Sequence, residues 1–262
     1  IEYRRIRKVP MDEALKNVKL IVEKEFNENE PLIVVCSAFS GITNSLLLSA
    51  EEALLQNDFS EILKVAEEKH YQIISGLLPR TLQNPLLMMV KVSFNEIEDV
   101  LFSVKNLGEL SDRIKDRLLS YGEQMSSKIV SAFLQSEGFP AVFQDSRKLI
   151  ATDSHFGNAN VDSRKTNENL KNWKLENQIY VVTGFIAKDK NDDTTTLGRG
   201  GSDYTAAILG SGLKADEIQI WTDVDGFLTA DPRLVKNAFS QSELSYQEAM
   251  EMSYFGAKVI YP

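Results

Sequence analysis

The sequence contains very few cysteines and histidines. Cys36 is its one cysteine, and His70 and His155 are its two histidines. A lone cysteine cannot form an internal disulfide, and low cysteine usage fits a reducing, cytoplasmic environment. Two isolated histidines provide neither a metal-binding cluster nor a Ser-His-Asp triad. We therefore expect no metal centre built by the protein, and we place His70 on the surface of a helix.

The sequence also lacks an excess of positive charge and long apolar runs. The formal net charge is −9, whereas a nucleic-acid surface needs clustered lysine and arginine in excess. No apolar stretch approaches the ~18 residues of a membrane span, and none resembles a signal peptide. We therefore expect neither nucleic-acid nor membrane partners. One short basic cluster is flanked by acids, and we interpret it as the solvated face of a helix: Arg4, Arg5, Arg7 and Lys8.

The sequence does contain enough apolar material for a packed core, because hydrophobic residues make up 43% of the chain. Short apolar runs alternate with segments of helical periodicity. We predict strands at 32–39, 141–144, 178–187 and 218–222, and helices at 11–26, after a cap at Thr43 or Asn44, within 51–136, at 204–209 and at 246–252. This alternation predicts an α/β fold, a three-layer αβα sandwich with a mainly parallel sheet and helices on both faces.

Turn residues predict where these elements are interrupted. The helical pattern of 51–136 breaks near Tyr121-Gly122, just before Glu123. Residues 145–164 are polar and loop-like, and 188–194 predict a hairpin tip. In parallel sheets, ligands bind beyond the carboxyl ends of the strands. The loops expected at that edge are 40–44, 152–158, 198–203 and 222–233.

An arginine lies in the most glycine-rich loop, where residues 194–206 read TTTLGRGGSDYTA. This loop is no dinucleotide fingerprint, because Asp203 stands where glycine or alanine is needed, and no lysine completes a Walker loop. Glycine amides before a helix capped by Ser202 or Asp203 nevertheless form an anion site. Arg199 adds a planar fork that binds a carboxylate or a phosphate. A tight turn with a surface arginine explains the pattern equally well.

Three further stretches combine small polar residues with a predicted strand end or helix break. In IQIWTDVDGFLTADPR, Thr222 and Asp223 end a strand where a ribose or phosphate can be held, and Arg233 can pair with a phosphate. Ordinary Asp-Gly and Asp-Pro turns explain this stretch as well. Ordinary helix capping accounts for the small hydroxyl residues of VVCSAFSGITN. A solvent-exposed glutamate accounts for the acid of SYGE. None of these stretches decides the function by itself.

Taken together, these stretches resemble the aspartate kinase family, within the amino-acid kinase (carbamate kinase-like) fold. The motifs follow the family's order along nearly the whole chain: VVCSAFSGITN, SYGEQMS, TDSHFGNA, TTTLGRGGSDYTAA, WTDVDGFLTADPR and SYQEAMEMSYFGAKVIYP. The resemblance implies ATP-dependent phosphorylation of the side-chain carboxylate of L-aspartate to 4-phospho-L-aspartate. That reaction opens the pathway to lysine, threonine and methionine.

The resemblance also implies which residues bind the amino acid. They are Ser40, Gly41, Thr43, Glu123, Arg199 and Gly200. Ser40 and Thr43 correspond to positions at the reacting end of the substrate, and Glu123 to the acid that contacts its amino group. Arg199 corresponds to the arginine that binds the α-carboxylate, and Asp203 to the acid that organises the catalytic site.

For the nucleotide, the resemblance implies contacts in the last quarter of the chain. The corresponding positions are Thr222, Asp223, Leu228, Arg233, Lys258 and Val259. Lys258 is expected to act in catalysis together with Arg199 and Asp203, and Leu228 stands where a tyrosine is common. Mg²⁺ is expected to accompany ATP and to be held mainly through the phosphates.

The resemblance further implies how the chain is organised. It suggests one kinase domain, with an amino-acid-binding lobe at 1–180 and a nucleotide-binding lobe at 181–262. The family's Lys-Phe-Gly-Gly-Thr-Ser stretch and its regulatory ACT domains are missing, so we expect a fragment of a homo-oligomeric protein. Three other functions stay open: the kinase part of a bifunctional aspartokinase/homoserine dehydrogenase, another amino-acid kinase, and a non-catalytic regulatory domain.

Overall fold

The computed structural model describes residues 2–5, 11–222 and 245–254, together with the single residues 229, 235, 237 and 239. Its contacts define two compact units, Pro10–Thr205 and the combination of Ile1–Val9 with Ala206–Pro262. This division lies downstream of the lobe boundary expected at residue 180. The assignment of the amino acid to one lobe and of the nucleotide to the other stays a prediction. Within the described part of the chain, no helix is both long and apolar enough to cross a membrane.

The larger unit contains most of the described elements. Its helices are α1 (Met11–Glu25), α2 (Ile42–Leu54), α3 (Ser60–Leu77), α4 (Arg80–Leu107), α5 (Asp112–Ser136) and α6 (Ser163–Asn172). Its strands are β2 (Leu32–Cys36), β3 (Ala141–Gln144), β4 (Ile179–Thr183), β5 (Ile186–Lys188) and β6 (Thr194–Thr196), and a 3-10 helix spans Ser146–Lys148. The division falls within helix α7 (Gly201–Leu213). The smaller unit contains β1 (Glu2–Arg5), β7 (Gln219–Thr222) and α8 (Tyr246–Tyr254).

Strand β4 is the middle strand of a parallel sheet in the order β2-β4-β3. Val181 of β4 pairs with Val34 of β2 and with Phe143 of β3. Every residue of β4 is buried, which suits the continuous apolar sequence of a strand covered on both faces. This sheet and its helices confirm the predicted α/β fold with parallel strands.

Helix α5 forms the centre of the apolar core in the larger unit. It packs on β2, β3 and β4 and on the helices α2 and α4. The helix continues without interruption through Gly122, so the predicted helix break before Glu123 is wrong. A Cβ atom at position 122 would lie 2.8 Å from the Cβ of Ala38. The glycine therefore allows the chain after β2 to approach the helix closely.

The starts of two helices also differ from the predictions. Helix α2 begins at Ile42 after Gly41, which has φ 84° and provides no side-chain cap. The cap expected at Thr43 or Asn44 is therefore wrong, because a left-handed glycine turns the chain two or three residues earlier. Ser202 and Asp203 likewise lie inside the first turn of α7, which begins at Gly201, rather than at its cap.

The segments around β5 refine two further predictions. The strand predicted at 178–187 is split into β4 and β5, because the chain turns at Gly184 and at Phe185, which has φ 67°. Strands β5 and β6 pair antiparallel, which confirms the hairpin tip predicted at 188–194. The loop predicted at 145–164 extends too far, since Asp162 accepts a hydrogen bond from the Lys165 amide at 2.9 Å and caps α6.

Two predictions, the helix around Arg4 and Arg5 and the exposed position of His70, are wrong. Arg4 and Arg5 belong to strand β1, which pairs in parallel with β7, so a partner strand more than two hundred residues away overrides the local helical pattern. Arg7 and Lys8 lie outside the described residues. His70 has no exposed surface, and its ring lies 5.5 Å from that of Phe39 and 5.6 Å from that of Phe94. The histidine is therefore a core residue.

Candidate active site

A cleft of about 320 Å³ lies beyond the carboxyl end of β2 in the larger unit. The chain after β2, the helices α2 and α5 and the glycine-rich loop before α7 contribute its walls. The lining residues are Ser37, Thr43, Glu123, Phe185, Gly198, Arg199, Gly200, Gly201, Ser202 and Asp203. The cleft therefore lies at the sheet edge where ligands of parallel α/β proteins bind.

Most of the described residues predicted to bind the amino acid line this cleft. Thr43, Glu123, Arg199 and Gly200 do so, together with Asp203. The structure thus brings residues of α2, of α5 and of the glycine loop to one place. Their roles toward a substrate stay a prediction.

Ser40 and Gly41 are not among the residues that line the cleft. The carbonyl oxygen of Ser40 accepts a hydrogen bond from Nζ of Lys69 on α3. The carbonyl of Gly41 accepts the amide of Ser45 at 2.9 Å in the first turn of α2. Both residues shape the turn that carries Thr43 to the cleft.

Glu123 is a buried carboxylate with unused hydrogen-bonding capacity. Only 3% of the residue is exposed, and its Oε1 accepts one hydrogen bond from the Ala38 amide at 3.3 Å. Its Oε2 has no hydrogen-bond partner among the described residues. Burial raises the pKa of the Glu123 carboxyl to about 7, against the lowering effect of the backbone hydrogen bonds. A cationic ligand group would supply the missing partner and favour the ionised form.

Arg199 lines the same cleft, in a loop whose backbone conformation requires glycine. Gly198 and Gly200 on either side of it have φ 74° and φ 73°, a region that other residues rarely adopt. Helix α7 starts directly after this loop, and its N-terminal amides and dipole favour an anion. Asp203 in its first turn is exposed, yet partial burial raises its pKa. The cleft thus combines a buried carboxylate with an arginine at a helix N-terminus.

The sequence interpretation missed a pair of hydrogen-bonded hydroxyl groups that lines the cleft. Oγ of Ser37 donates a hydrogen bond to Oγ of Ser202 at 2.7 Å, although the two serines are 165 positions apart. The sequence interpretation had favoured Ser40 instead. The available signal was that Ser37 follows Cys36, the last residue of β2, at the carboxyl end of a parallel strand. Phe185 was missed too, and no local pattern indicates its place in the cleft.

Other predicted positions lie elsewhere or beyond the described residues. The loop 152–158 does not line the cleft, although Asn158 lies so close to Gly198 that a Cβ added there would be 2.2 Å from Oδ1. Thr222 is described only as the last residue of β7. The remaining positions predicted to contact ATP lie outside the described residues: Asp223, Leu228, Arg233, Lys258 and Val259.

The cleft beside this parallel sheet places Glu123 and Arg199 among its lining residues. Residues 8–262 match the model of the amino acid kinase family, and the chain belongs to that family. Among its known relatives are aspartokinases. The chain is 35% identical over 255 residues to the bifunctional aspartokinase/homoserine dehydrogenase of Buchnera aphidicola, an alignment that covers 95% of this chain and 31% of the relative.

Two further similarities point to the same group. Aspartokinase 3 (chloroplastic) of Arabidopsis thaliana is 35% identical over 261 residues, covering 96% of this chain and 45% of the relative. The structure of E. coli aspartokinase III in complex with aspartate and ADP matches with a TM-score of 0.88 and 32% identity, covering 100% of this chain and 58% of that one. The chain thus spans less than half of these two curated relatives. The resemblance to aspartate kinases and the amino-acid kinase fold are confirmed.

Proposed function

We propose that this chain is the kinase domain of an aspartokinase, which transfers the γ-phosphoryl group of ATP to the side-chain carboxylate of L-aspartate. The product, 4-phospho-L-aspartate, feeds the synthesis of lysine, threonine and methionine. One observation carries the proposal: the cleft joins Arg199 to a buried Glu123 oxygen that has no described partner. An α-amino acid offers an ammonium and a carboxylate on one carbon, which complements these two groups.

Phosphoryl transfer to a carboxylate requires positioning of the reactants and stabilisation of charge, and it does not require a general base. A carboxylate with an ordinary pKa of about 3.9 is already ionised at neutral pH. One of its oxygens attacks the γ-phosphorus, the new O–P bond forms, and the bond to the β-phosphate oxygen breaks to release ADP. The barrier is the repulsion between the carboxylate and the phosphates. The amides at the start of α7 and the predicted Lys258 are the groups that we expect to offset this repulsion.

Mg²⁺ is part of the proposed reaction, and the acidic groups of the cleft fit a weakly protein-bound ion. Among the described residues, no group of three or more His, Cys, Asp or Glu side chains is placed to hold a metal. Mg²⁺ commonly keeps several waters and binds through substrate phosphates with one or two carboxylates, and Asp203 is an exposed carboxylate at the cleft. When bound, the ion would neutralise part of the phosphate charge.

The wider proposal includes the setting of the domain. Since the Buchnera relative is named as bifunctional, this chain is either the kinase part of such a protein or that of a separate aspartokinase. A homo-oligomeric assembly and a cytoplasmic location belong to the proposal too. The mass of the purified full-length protein in solution tests the assembly, a homoserine dehydrogenase assay tests the bifunctional alternative, and cell fractionation tests the location.

The activity itself is tested by ADP release with a panel of acceptors. We expect release with L-aspartate, and capture of the acyl phosphate by hydroxylamine as the hydroxamate. L-glutamate, N-acetyl-L-glutamate and carbamate should give little turnover. Turnover with one of these acids and not with aspartate would assign the chain to another amino-acid kinase. Aspartate binding without turnover would instead favour a regulatory domain.

A further inference from the structure

Helix α5 carries a second buried carboxylate seven positions before Glu123. Asp116 is only 1% exposed, and the spacing of two helical turns places it on the same face as Glu123. Its Oδ2 accepts the backbone amides of Gly157 and Thr196, each at 2.9 Å, and its Oδ1 accepts the Thr196 hydroxyl at 2.7 Å. Each oxygen therefore has at least one donor.

These three hydrogen bonds hold the two segments that border the arginine loop. Thr196 is the last residue of β6, and Arg199 follows three positions later. Gly157 is next to Asn158, whose side chain lies against Gly198. The Ala159 amide donates to the Thr196 carbonyl at 2.9 Å and ties the two segments together. The start of the arginine loop is thus anchored to α5.

We propose that Asp116 is a positioning residue that sets the spacing between Arg199 and Glu123, and hence the binding of the amino-acid head group. One rigid helix carries Glu123 and also anchors the strand that leads to Arg199. A shift of that strand would move the guanidinium relative to the carboxylate, and a site for two charges on one carbon tolerates little such movement. The role rests on the proposed function, because it concerns the substrate of that reaction.

The energetics of the site agree with this role. Burial raises the pKa of the Asp116 carboxyl, while the hydrogen bonds from Gly157 and Thr196 act in the opposite direction. A buried carboxylate costs stability unless its donors are well placed. The three hydrogen bonds of Asp116 are directional. They therefore fix β6 and the segment around Gly157 in one position relative to α5, which apolar packing alone would not do.

Asp189 provides a matched control in the same hairpin. It is 4% exposed and also accepts two backbone amides and one hydroxyl, from Asn191 at 2.8 Å, Asp193 at 3.0 Å and Ser154 at 2.6 Å. Asp189 holds the tip of the β5–β6 hairpin, whereas Asp116 holds its other end. The two aspartates therefore have similar structural roles, but Asp116 holds the end of the hairpin that leads to Arg199 and Asp189 holds the opposite end.

The test compares Asp116→Ala with Asp189→Ala in the full-length protein. For Asp116→Ala we expect the KM for L-aspartate to rise roughly tenfold, with the KM for ATP and kcat changed less than about threefold. For Asp189→Ala we expect a similar fall in Tm and an aspartate KM within about twofold of wild type. An equal rise in aspartate KM for both variants, or none for Asp116→Ala, would overturn the proposal.

Conservative variants keep the test decisive if the alanine variants do not fold. In Asp116→Asn the single oxygen can still accept both amides, and the new NH₂ group can donate to the Thr196 hydroxyl. We expect an intermediate rise of about threefold in aspartate KM, and none for Asp189→Asn. Equal KM values for these two variants would reject the positioning role.

Hydrogen exchange separates this inference from the proposed function. If wild-type protein does not turn over aspartate, the proposed function fails, but exchange can still be measured without any substrate. Asp116→Asn should then speed amide exchange in residues 196–201, and Asp189→Asn should speed it only at the hairpin tip. Unchanged exchange at 196–201 in Asp116→Asn would show that Asp116 does not position the loop.

Discussion

Helix α5 presents two buried carboxylates that differ in how they are paired. Asp116 near its start accepts three hydrogen bonds from two other segments. Glu123, two turns later, accepts one long hydrogen bond from a neighbouring segment, and its Oε2 has no partner among the described residues. The same helix thus buries one carboxylate that the protein satisfies and one that it leaves incompletely satisfied.

This difference separates an architectural carboxylate from a binding one. Buried polar groups in folded proteins are almost always paired, and an exception needs a reason. For Asp116 the pairing is internal, so the group stabilises the loop that precedes Arg199. Glu123 lines the cleft and its Oε2 has no partner among the described residues, so the group is available to a cationic ligand. Burial alone would not distinguish the two.

The largest effect expected from this comparison is a loss of substrate affinity in the Glu123→Gln variant. The substitution removes the charge that would pair with the substrate ammonium in a buried setting. We expect the affinity for L-aspartate to fall by about 3–5 kcal/mol, measured by calorimetry. Glu67→Gln is the control, because Glu67 accepts hydrogen bonds from Tyr71 and Lys91 on the surface of the helical region. Wild-type affinity in Glu123→Gln would remove Glu123 from the site.

The role of Arg199 in the cleft is tested by Arg199→Lys. Lysine keeps the charge but loses the planar fork that binds a carboxylate with two hydrogen bonds. We expect kcat/KM for aspartate to fall by on the order of 2–4 kcal/mol. Arg113→Lys, which changes an exposed ion pair with Asp193, should cost less than about 1 kcal/mol. Near-wild-type kinetics for Arg199→Lys would contradict the proposed role of the arginine.

The incompletely paired state of Glu123 should also appear in the pH dependence of stability. Its folded pKa of about 7 lies above the ordinary 4.5, so the native state holds a proton that the unfolded chain has lost. The free energy of unfolding therefore falls as the pH rises through this range, by about 2–3 kcal/mol between pH 5 and pH 8. Urea unfolding at both pH values measures it, and Glu123→Gln should lack this contribution. An identical slope in the variant would refute the assignment.

The smallest effects concern the helix backbone beside Glu123. Gly122→Ala would bring a Cβ to 2.8 Å from Ala38, and we expect a loss of about 1–3 kcal/mol in the free energy of unfolding. Gly76→Ala in α3 is the control, because nothing lies within 4 Å of its added Cβ. There alanine should stabilise the helix by a few tenths of a kcal/mol. Equal effects of the two substitutions on chemical denaturation would show that Ala38 does not pack tightly on α5.

Much of the fold was predictable because it follows from local pattern. The continuous apolar runs of β2 and β4 indicate buried strands, and alternating strands and helices indicate a parallel sheet. Pairing between distant segments was not predictable in this way. Strand β1 pairs with β7, and the glycine at 122 within α5 is explained by the close approach of Ala38.

The residues of the candidate site likewise divide into those that the sequence predicted and those that it did not. Glu123 and Arg199 were named from motifs in family order, and both line the cleft. Ser37 and Ser202 were not assigned to the site, because a hydrogen bond between residues 165 positions apart leaves no local signature. The anchoring of Thr196 by Asp116 was missed for the same reason, since these residues are 80 positions apart.

By itself, the sequence determined the kind of protein: a parallel α/β chain with an arginine in a glycine loop and an acid in the motif SYGE. Periodicity and glycine placement act over a few residues, so they can be read along the chain. Only the tertiary structure decided which carboxylates are satisfied and which is left for a ligand. Whether a buried oxygen has a donor depends on atoms that folding brings together from distant segments, and no local pattern records that distance.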